Sequence, residues 1–194
     1  MTTPDTIADM ILGALWVLFW IYWLVSAFGA KRSVPNRGYW RRQLGIRLLV
    51  IVLLVVLLRA HAFRHFARDG ERLAFDPVLQ DAGVFVAALG MAFAVWARVN
   101  LGANWGVPMT MRAEPELVKT GPYRLVRHPI YTGILFALLG TAPVVGGVWI
   151  VAFVLCGIYF VFSAIQEEKL MTREFPEQYP EYRKHTKMFI PYVV

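Results

Sequence analysis

The chain has 194 residues, 58% of them hydrophobic and 17% charged, with a mean hydropathy of +0.51, which is too apolar for a water-soluble domain of this size. The 15 glycines follow no triplet period and the single Cys cannot form an internal bridge, so disorder, collagen and disulfide scaffolds are excluded as well. A formal charge of +7 would suggest nucleic acid for a soluble domain, but here the basic residues cluster at the ends of apolar runs, where membrane orientation accounts for them and no nucleic-acid partner is expected.

The sequence predicts an all-α integral membrane protein, one membrane domain with about five transmembrane helices, in which residues 1–76 carry the first two spans and 77–194 form a core with three more. The first apolar run, Met10 to Phe28, carries Trp16, Trp20, Tyr22 and Trp23 and is long enough to span. Small residues from Ser26 to Ala30 raise signal-peptide cleavage as an alternative, but Asp5 and Asp9 precede the run and no Lys or Arg does, which is the wrong n-region. The second run, Leu44 to Leu58, is short unless Arg47 and Arg59 snorkel from its ends, and is read as a span. The third, Pro77 to Ala97, repeats small residues at Gly83, Ala87 and Gly90, the pattern of close helix packing. The fourth and fifth, Ile130 to Val145 and Val148 to Ile165, are separated only by a Pro143 to Gly147 turn and read as a tight hairpin. Beyond Ile165 the chain stays polar and is expected outside the hydrocarbon.

With five spans, sixteen of the twenty Lys and Arg residues fall on one face: six from Lys31 to Arg47, five from Arg98 to Arg127 and five from Lys169 to Lys187. The positive-inside rule then puts these loops and the C-terminus in the cytoplasm and the N-terminus outside, in a cytoplasmic (inner) membrane. No repeated span pair supports an inverted-repeat transporter.

Two cytoplasmic segments, Leu101 to Gly133 and Gln166 to Pro191, are richer in functional side chains than connectors need, and are expected to meet. Pro129 suits the first turn of a helix, which leaves Arg127 and His128 just before the fourth span. Free backbone N–H groups, the helix dipole and a guanidinium would converge there on a carboxylate or phosphate. The plainer reading makes Arg127 a snorkelling anchor, His128 a cap, Tyr123 and Tyr131 interfacial aromatics, and Gly121-Pro122 a turn. Glu167 and Glu168 leave the fifth span on the same face; they are a solvated boundary or, beside Arg127 and His128, half of a site for a zwitterion. Phe175, Tyr179 and Tyr182 lie at i, i+4 and i+7 and read as a lid-like cover. His61 and His65 have helical spacing but no third ligand, Cys156 reads as packing, and no metal site is expected. GxGxxG, GxxxxGK[ST] and HExxH are all absent.

Leu117-Val118-x-x-Gly121-Pro122-Tyr123, Arg127-His128-Pro129-x-Tyr131-x-Gly133 and, after the hairpin, Glu167-Glu168-x-Leu170, Phe175, Tyr179-x-x-Tyr182, Thr186 and Pro191 resemble the isoprenylcysteine carboxyl methyltransferase family. Leu101-Gly102 and Asn104-Trp105 upstream are similar too, so the resemblance covers nearly half the chain. It implies an integral-membrane methyltransferase dependent on S-adenosyl-L-methionine, acting on a lipophilic small-molecule or prenylated acceptor among membrane lipid. By the same resemblance, Leu117 and Val118 line the adenine; Tyr123, Arg127, His128 and Tyr131 surround the methionine part and its carboxylate; Glu167 and Glu168 balance its ammonium and sulfonium; and Gly121 and Pro129 belong to the cofactor-binding set. Asn104, Trp105 and Arg98 approach the acceptor, and His128 or Glu167 serves as base where an amine or thiol must lose a proton. One departure stands out: Ser163 occupies the place of an Arg found about four residues before the Glu pair in isoprenylcysteine methylators. The acceptors considered are isoprenylcysteine first, then a phospholipid amine or small thiol. Readings of other classes are a non-catalytic scaffold binding anionic lipid and a nicotinamide-dependent membrane reductase, for which too few basic residues converge.

Overall fold

The computed structural model describes residues 6–28, 77–104 and 116–191; the expected second span, His61, His65 and Trp105 lie outside them. The described chain is helical: α1 (Thr6–Ala27), α2 (Pro77–Leu101), α3 (Pro129–Val145), α4 (Val148–Glu174) and the short α5 (Gln178–His185), with 3-10 turns at Gly102–Asn104 and Gly121–Arg124. α1, α2 and α4 are long and apolar enough to cross a membrane, and α3 is a shorter apolar helix. At 1.5 Å per residue α3 is roughly 26 Å long; Pro129 opens it, and Pro143 followed by Gly146 at φ +123° closes it. Their exposed apolar side chains, such as Leu18, Leu24, Val154 and Ile158, suit a lipid solvent, and the protein is an integral membrane protein.

The tightest contact is between α2 and α3, and the small residues seen in the sequence make it. A Cβ on Gly90 would sit 2.5 Å from Ala137 N and 2.6 Å from Gly133 O, and one on Gly140 would sit 2.5 Å from Gly83 O. The two backbones run antiparallel in direct contact, as small residues permit between membrane helices. α1 closes over this pair: Phe19 joins Met91, Ala94 and Ala137 in one core, and Trp16 Nε1 donates to Thr141 Oγ1 at 3.1 Å.

α4 differs from expectation. Instead of ending with the apolar run at Ile165 it continues unbroken to Glu174, because Gln166 to Met171 are all good helix formers. It stops at Phe175, the residue restricted by Pro176. Glu167 and Glu168 therefore project from rigid helix rather than from a tail. The aromatic stripe is likewise broken: α5 begins only at Gln178, so Tyr179 and Tyr182 are buried on one short helix while Phe175 caps α4 and is half-buried.

Candidate active site

The segment leading into α3 is shaped by its backbone. Gly121 takes φ +58°, and a Cβ there would collide with the Asn100 side chain of α2, so this turn requires glycine. Pro122 and Tyr123 are buried behind it, and the Tyr182 hydroxyl of α5 donates to the Tyr123 carbonyl at 2.6 Å. The chain then pairs with the C-terminal segment: Val126 and Lys187 form a parallel bridge, Arg127 N donates to Lys187 O at 2.8 Å and His128 N to Met188 O at 3.1 Å. Thr132, one turn into α3, places its hydroxyl within 3.1 Å of His128 O and 2.9 Å of Phe189 O. The two polar segments expected to meet do so.

An ionic cluster fills the junction. Arg127 Nε donates to Glu168 Oε1 at 2.7 Å, with both side chains more than nine-tenths buried, and Arg127 also donates to Thr186 O. Arg183 Nε approaches the second Glu168 oxygen at 3.5 Å. The Tyr131 hydroxyl donates to Glu167 Oε1 at 2.5 Å. His128 lies between the carboxylates, Nδ1 3.5 Å from Glu167 and Nε2 3.5 Å from Glu168. Its ring is parallel to Tyr131 at 5.6 Å, and Tyr131 stacks on Phe160 of α4 at 4.4 Å. Burial pulls the His128 imidazole towards neutrality, but the two carboxylates outweigh it and hold the imidazole above its ordinary value. Burial pushes the Tyr123 phenol well up, with Tyr182 and Glu167 adding to it, so it stays neutral. For Tyr182 burial again leads, and the phenol is pushed up to about 12.

This geometry revises one expectation. The N–H groups of Arg127 and His128 are not free for an outside anion, since the C-terminal segment takes both, and the Arg127 guanidinium is engaged by Glu168. The remaining candidates are spread around the cluster. Leu117 and Val118 are half-buried in the stretch before the Gly121 turn, and Pro129 is buried at the start of α3. Asn104 Nδ2 donates to Glu116 at 3.1 Å, while its buried Oδ1 has no hydrogen-bond partner. Arg98 is 4% exposed and donates to Gly102 O at 2.7 Å and to Ser26 O at 2.5 Å, tying the end of α2 to the end of α1. Thr132, Arg183 and Asn100 escaped sequence reasoning. Thr132 occupies a variable-looking position of the RHPxYxG element, and the other two act through partners distant in the chain.

The cluster suits a cation. The carboxylate of Glu167 is the more open of the pair, its side chain 23% exposed against 6% for Glu168, and it meets Tyr131 and His128, whose ring stack continues through Tyr131 to Phe160. The buried Nε2 of His128 makes no hydrogen bond. Among the described residues, no group of three His, Cys, Asp or Glu side chains is arranged to hold a metal ion.

Comparison with known proteins agrees with this chemistry. A family model described as phospholipid methyltransferase matches residues 79–178, which includes the α2–α3 contact, the Gly121 turn, Arg127, His128 and both glutamates. The chain is 27% identical over 155 residues to the nickel-cobalt-cadmium resistance protein NccN of Alcaligenes xylosoxydans xylosoxydans, covering 78% of this chain and 65% of that protein. It is 27% identical over 166 residues to the cobalt-zinc-cadmium resistance protein CzcN of Cupriavidus metallidurans, covering 84% and 69%. A methanethiol S-methyltransferase of a Pseudomonas species is 31% identical over 94 residues, 45% of this chain and 36% of that enzyme. This chain thus spans about two thirds of the length of the two resistance proteins. The match from residue 79 to residue 178 takes in just over half the chain, and the protein belongs to the phospholipid methyltransferase family of integral-membrane methyltransferases.

Proposed function

We propose that the protein transfers a methyl group from S-adenosyl-L-methionine to a lipophilic acceptor at the cytoplasmic face of the membrane, with its N-terminus outside. The observation that carries the reading is the partly open Glu167 carboxylate, held by the Tyr131 hydroxyl beside a stack of aromatic rings. That is a receptor for a sulfonium and an ammonium, by charge and by cation–π attraction. Bound there, the cofactor supplies an activated methyl group and a good leaving group. The protein's own contribution is to position the acceptor and exclude water: Glu167 balances positive charge, Tyr131 fixes Glu167, and Leu117 and Val118 offer half-buried apolar contact for the adenine. Asn104, with its orphaned Oδ1, is the described residue we assign to the acceptor side.

For the acceptor, a neutral thiol fits better than a carboxylate. Two carboxylates line the cluster, Arg127 is consumed by Glu168, and Ser163 replaces the Arg that the isoprenylcysteine pattern would use. Methanethiol S-methyltransferases among the relatives point the same way. Isoprenylcysteine remains the second reading, favoured by the motif set from Leu117 to Pro191. Calorimetric titration of detergent-purified protein with S-adenosylmethionine and S-adenosylhomocysteine tests the cofactor site. Wild type is expected to bind both and Glu167→Gln to lose S-adenosylmethionine, while retained binding in that variant removes Glu167 from the site. Methylation of an alkanethiol, but not of a prenylcysteine, is expected to separate the acceptors.

A further inference from the structure

His128 occupies a place that a structural cap does not require. Its two nitrogens face different carboxylates at the same 3.5 Å, its ring is clamped between Tyr131 at 5.6 Å and Phe189 at 5.9 Å, and its Nε2 makes no hydrogen bond. The charged and titratable groups around it come from every neighbouring element. α4 supplies Glu167 and Glu168. The preceding loop supplies Arg127, and α5 supplies Arg183, both engaged with Glu168. α3 supplies Tyr131, committed to Glu167. Further out, Tyr123 and Arg98 act on the Glu167 side, and Tyr179 and Tyr182 on the Glu168 side. Glu168 therefore has two guanidinium partners, whereas the group that can carry a positive charge against Glu167 is the His128 imidazole, which the two carboxylates bias towards its protonated form. A cationic cofactor drawn to Glu167 competes with that imidazolium for one carboxylate, and two cations cannot share it without repulsion in a poorly solvated site.

Resting on the S-adenosylmethionine reading, we propose that His128 and the cofactor exchange one positive charge: cofactor binding expels the proton from Nδ1 of His128, the nitrogen that faces Glu167, and a neutral thiol acceptor returns a proton to it during transfer. The thiol S–H bond breaks and its proton goes to Nδ1, while Nε2 stays turned to Glu168. The sulfur electron pair left behind forms the new S–CH3 bond, and the old S–CH3 bond breaks with its pair leaving on the departing sulfide. One cation stands beside Glu167 before the step and one after it, so the buried cluster never changes net charge. As the sulfonium charge disappears during transfer, the two carboxylates again favour the protonated imidazole, so the thiol proton has an acceptor at the moment the thiol gives it up. A carboxylate acceptor brings no proton and gives this arrangement nothing to receive.

The test compares S-adenosylmethionine with S-adenosylhomocysteine, which share the amino-acid zwitterion and differ in the sulfonium. Calorimetric titrations from pH 6 to 9, in two buffers of different ionisation enthalpy, count the protons released. S-adenosylmethionine is expected to release up to one proton more than S-adenosylhomocysteine. Its Kd is expected to fall by up to about tenfold per pH unit while His128 is protonated in the free protein. His128→Gln is expected to abolish that difference. Equal proton counts for the two ligands in wild type overturn the exchange and leave the cofactor site standing, whereas failure of folded wild type to bind either ligand overturns the cofactor reading and the exchange with it.

Discussion

Removing the Arg127 guanidinium isolates the energetics of the cluster. Arg127 and Glu168 touch at 2.7 Å with side chains 8% and 6% exposed, so Arg127→Met leaves a carboxylate in a low-dielectric site. Breaking a buried pair from one side costs about 3–5 kcal/mol. Glu168 keeps the Arg183 and His128 contacts at 3.5 Å, which argues for the lower end, while the Thr186 carbonyl loses its donor and adds about 1 kcal/mol. Arg127→Met is therefore expected to cost about 4 kcal/mol. Glu168→Met should cost less, about 2 kcal/mol, because the guanidinium keeps its carbonyl acceptors. The double variant replaces the pair by apolar side chains of similar reach, and is expected to fall about 1–2 kcal/mol below wild type rather than at the sum. Thermal unfolding in detergent reads this out. For a chain of this size each kcal/mol moves Tm by roughly 2–4 °C, so Arg127→Met should unfold roughly 8–16 °C early and the double variant clearly later than Arg127→Met. Additive losses in the double variant would refute the reasoning, because the two side chains would then not depend on each other.

Gly133→Ala puts a Cβ 2.5 Å from Gly90 O and 2.6 Å from Ala94 N; reaching ordinary contact needs a shift of about 0.9 Å between two backbones, an overpacking cost of about 1–3 kcal/mol. Gly13→Ala on α1, where nothing lies within 4 Å, is the control, and equal Tm values for the two would contradict the close-packing account. Because the cofactor-free fold holds His128 above its ordinary value, the folded state binds the extra proton. That stability is full below about pH 6.5 and is lost as pH rises through the folded value, so Tm of the cofactor-free protein should drop towards pH 9 more steeply than that of His128→Gln; parallel slopes would remove His128 as the cause. Two buried hydroxyls should behave oppositely. Thr132→Val strips the Phe189 carbonyl of its donor and should cost about 1–3 kcal/mol, whereas Ser163→Ala deletes an Oγ without a well-aligned hydrogen bond, its polar neighbour, the Tyr131 hydroxyl, being committed to Glu167, and should stay within about 0.5 kcal/mol of wild type or gain. Equal losses in unfolding experiments would show that Ser163 has a partner after all.

What could be read in advance follows from where the information sits. Apolar runs and the Gly83, Ala87, Gly90 spacing lie along single helices, so the four described apolar helices and the α2–α3 seam are legible in the residues themselves. The convergence of the RHP and EE elements is legible too, because a short hairpin between two apolar helices leaves little freedom in how their polar ends meet. The extension of α4 to Glu174 was hidden by the change from apolar to polar residues, which marks the membrane boundary but says nothing about helix continuity. The docking of residues 186–189 on 126–128 left no trace, since it runs through main-chain N–H and C=O groups that every non-proline residue carries. That docking is what spends the N–H groups of Arg127 and His128, so the two amides that looked free for an anion just before α3 are taken in the fold.

The consequence reaches the choice of acceptor. Had the start of α3 been free, an anionic headgroup or a carboxylate could have been drawn in by backbone dipoles and a spare guanidinium. Instead, the C-terminal segment takes the N–H groups of Arg127 and His128 and Glu168 takes the guanidinium, leaving the more open Glu167 carboxylate and the imidazole to meet a ligand. A carboxylate beside aromatic rings attracts a cation and repels an anion, and at the edge of a membrane, where screening is weak, the discrimination is larger than it would be in water. The same two groups then restrict the second substrate. On the proposed function, the acceptor that fits beside Glu167 and the bound cofactor arrives uncharged and sheds a proton to become nucleophilic, which favours a thiol carried on a lipophilic chain.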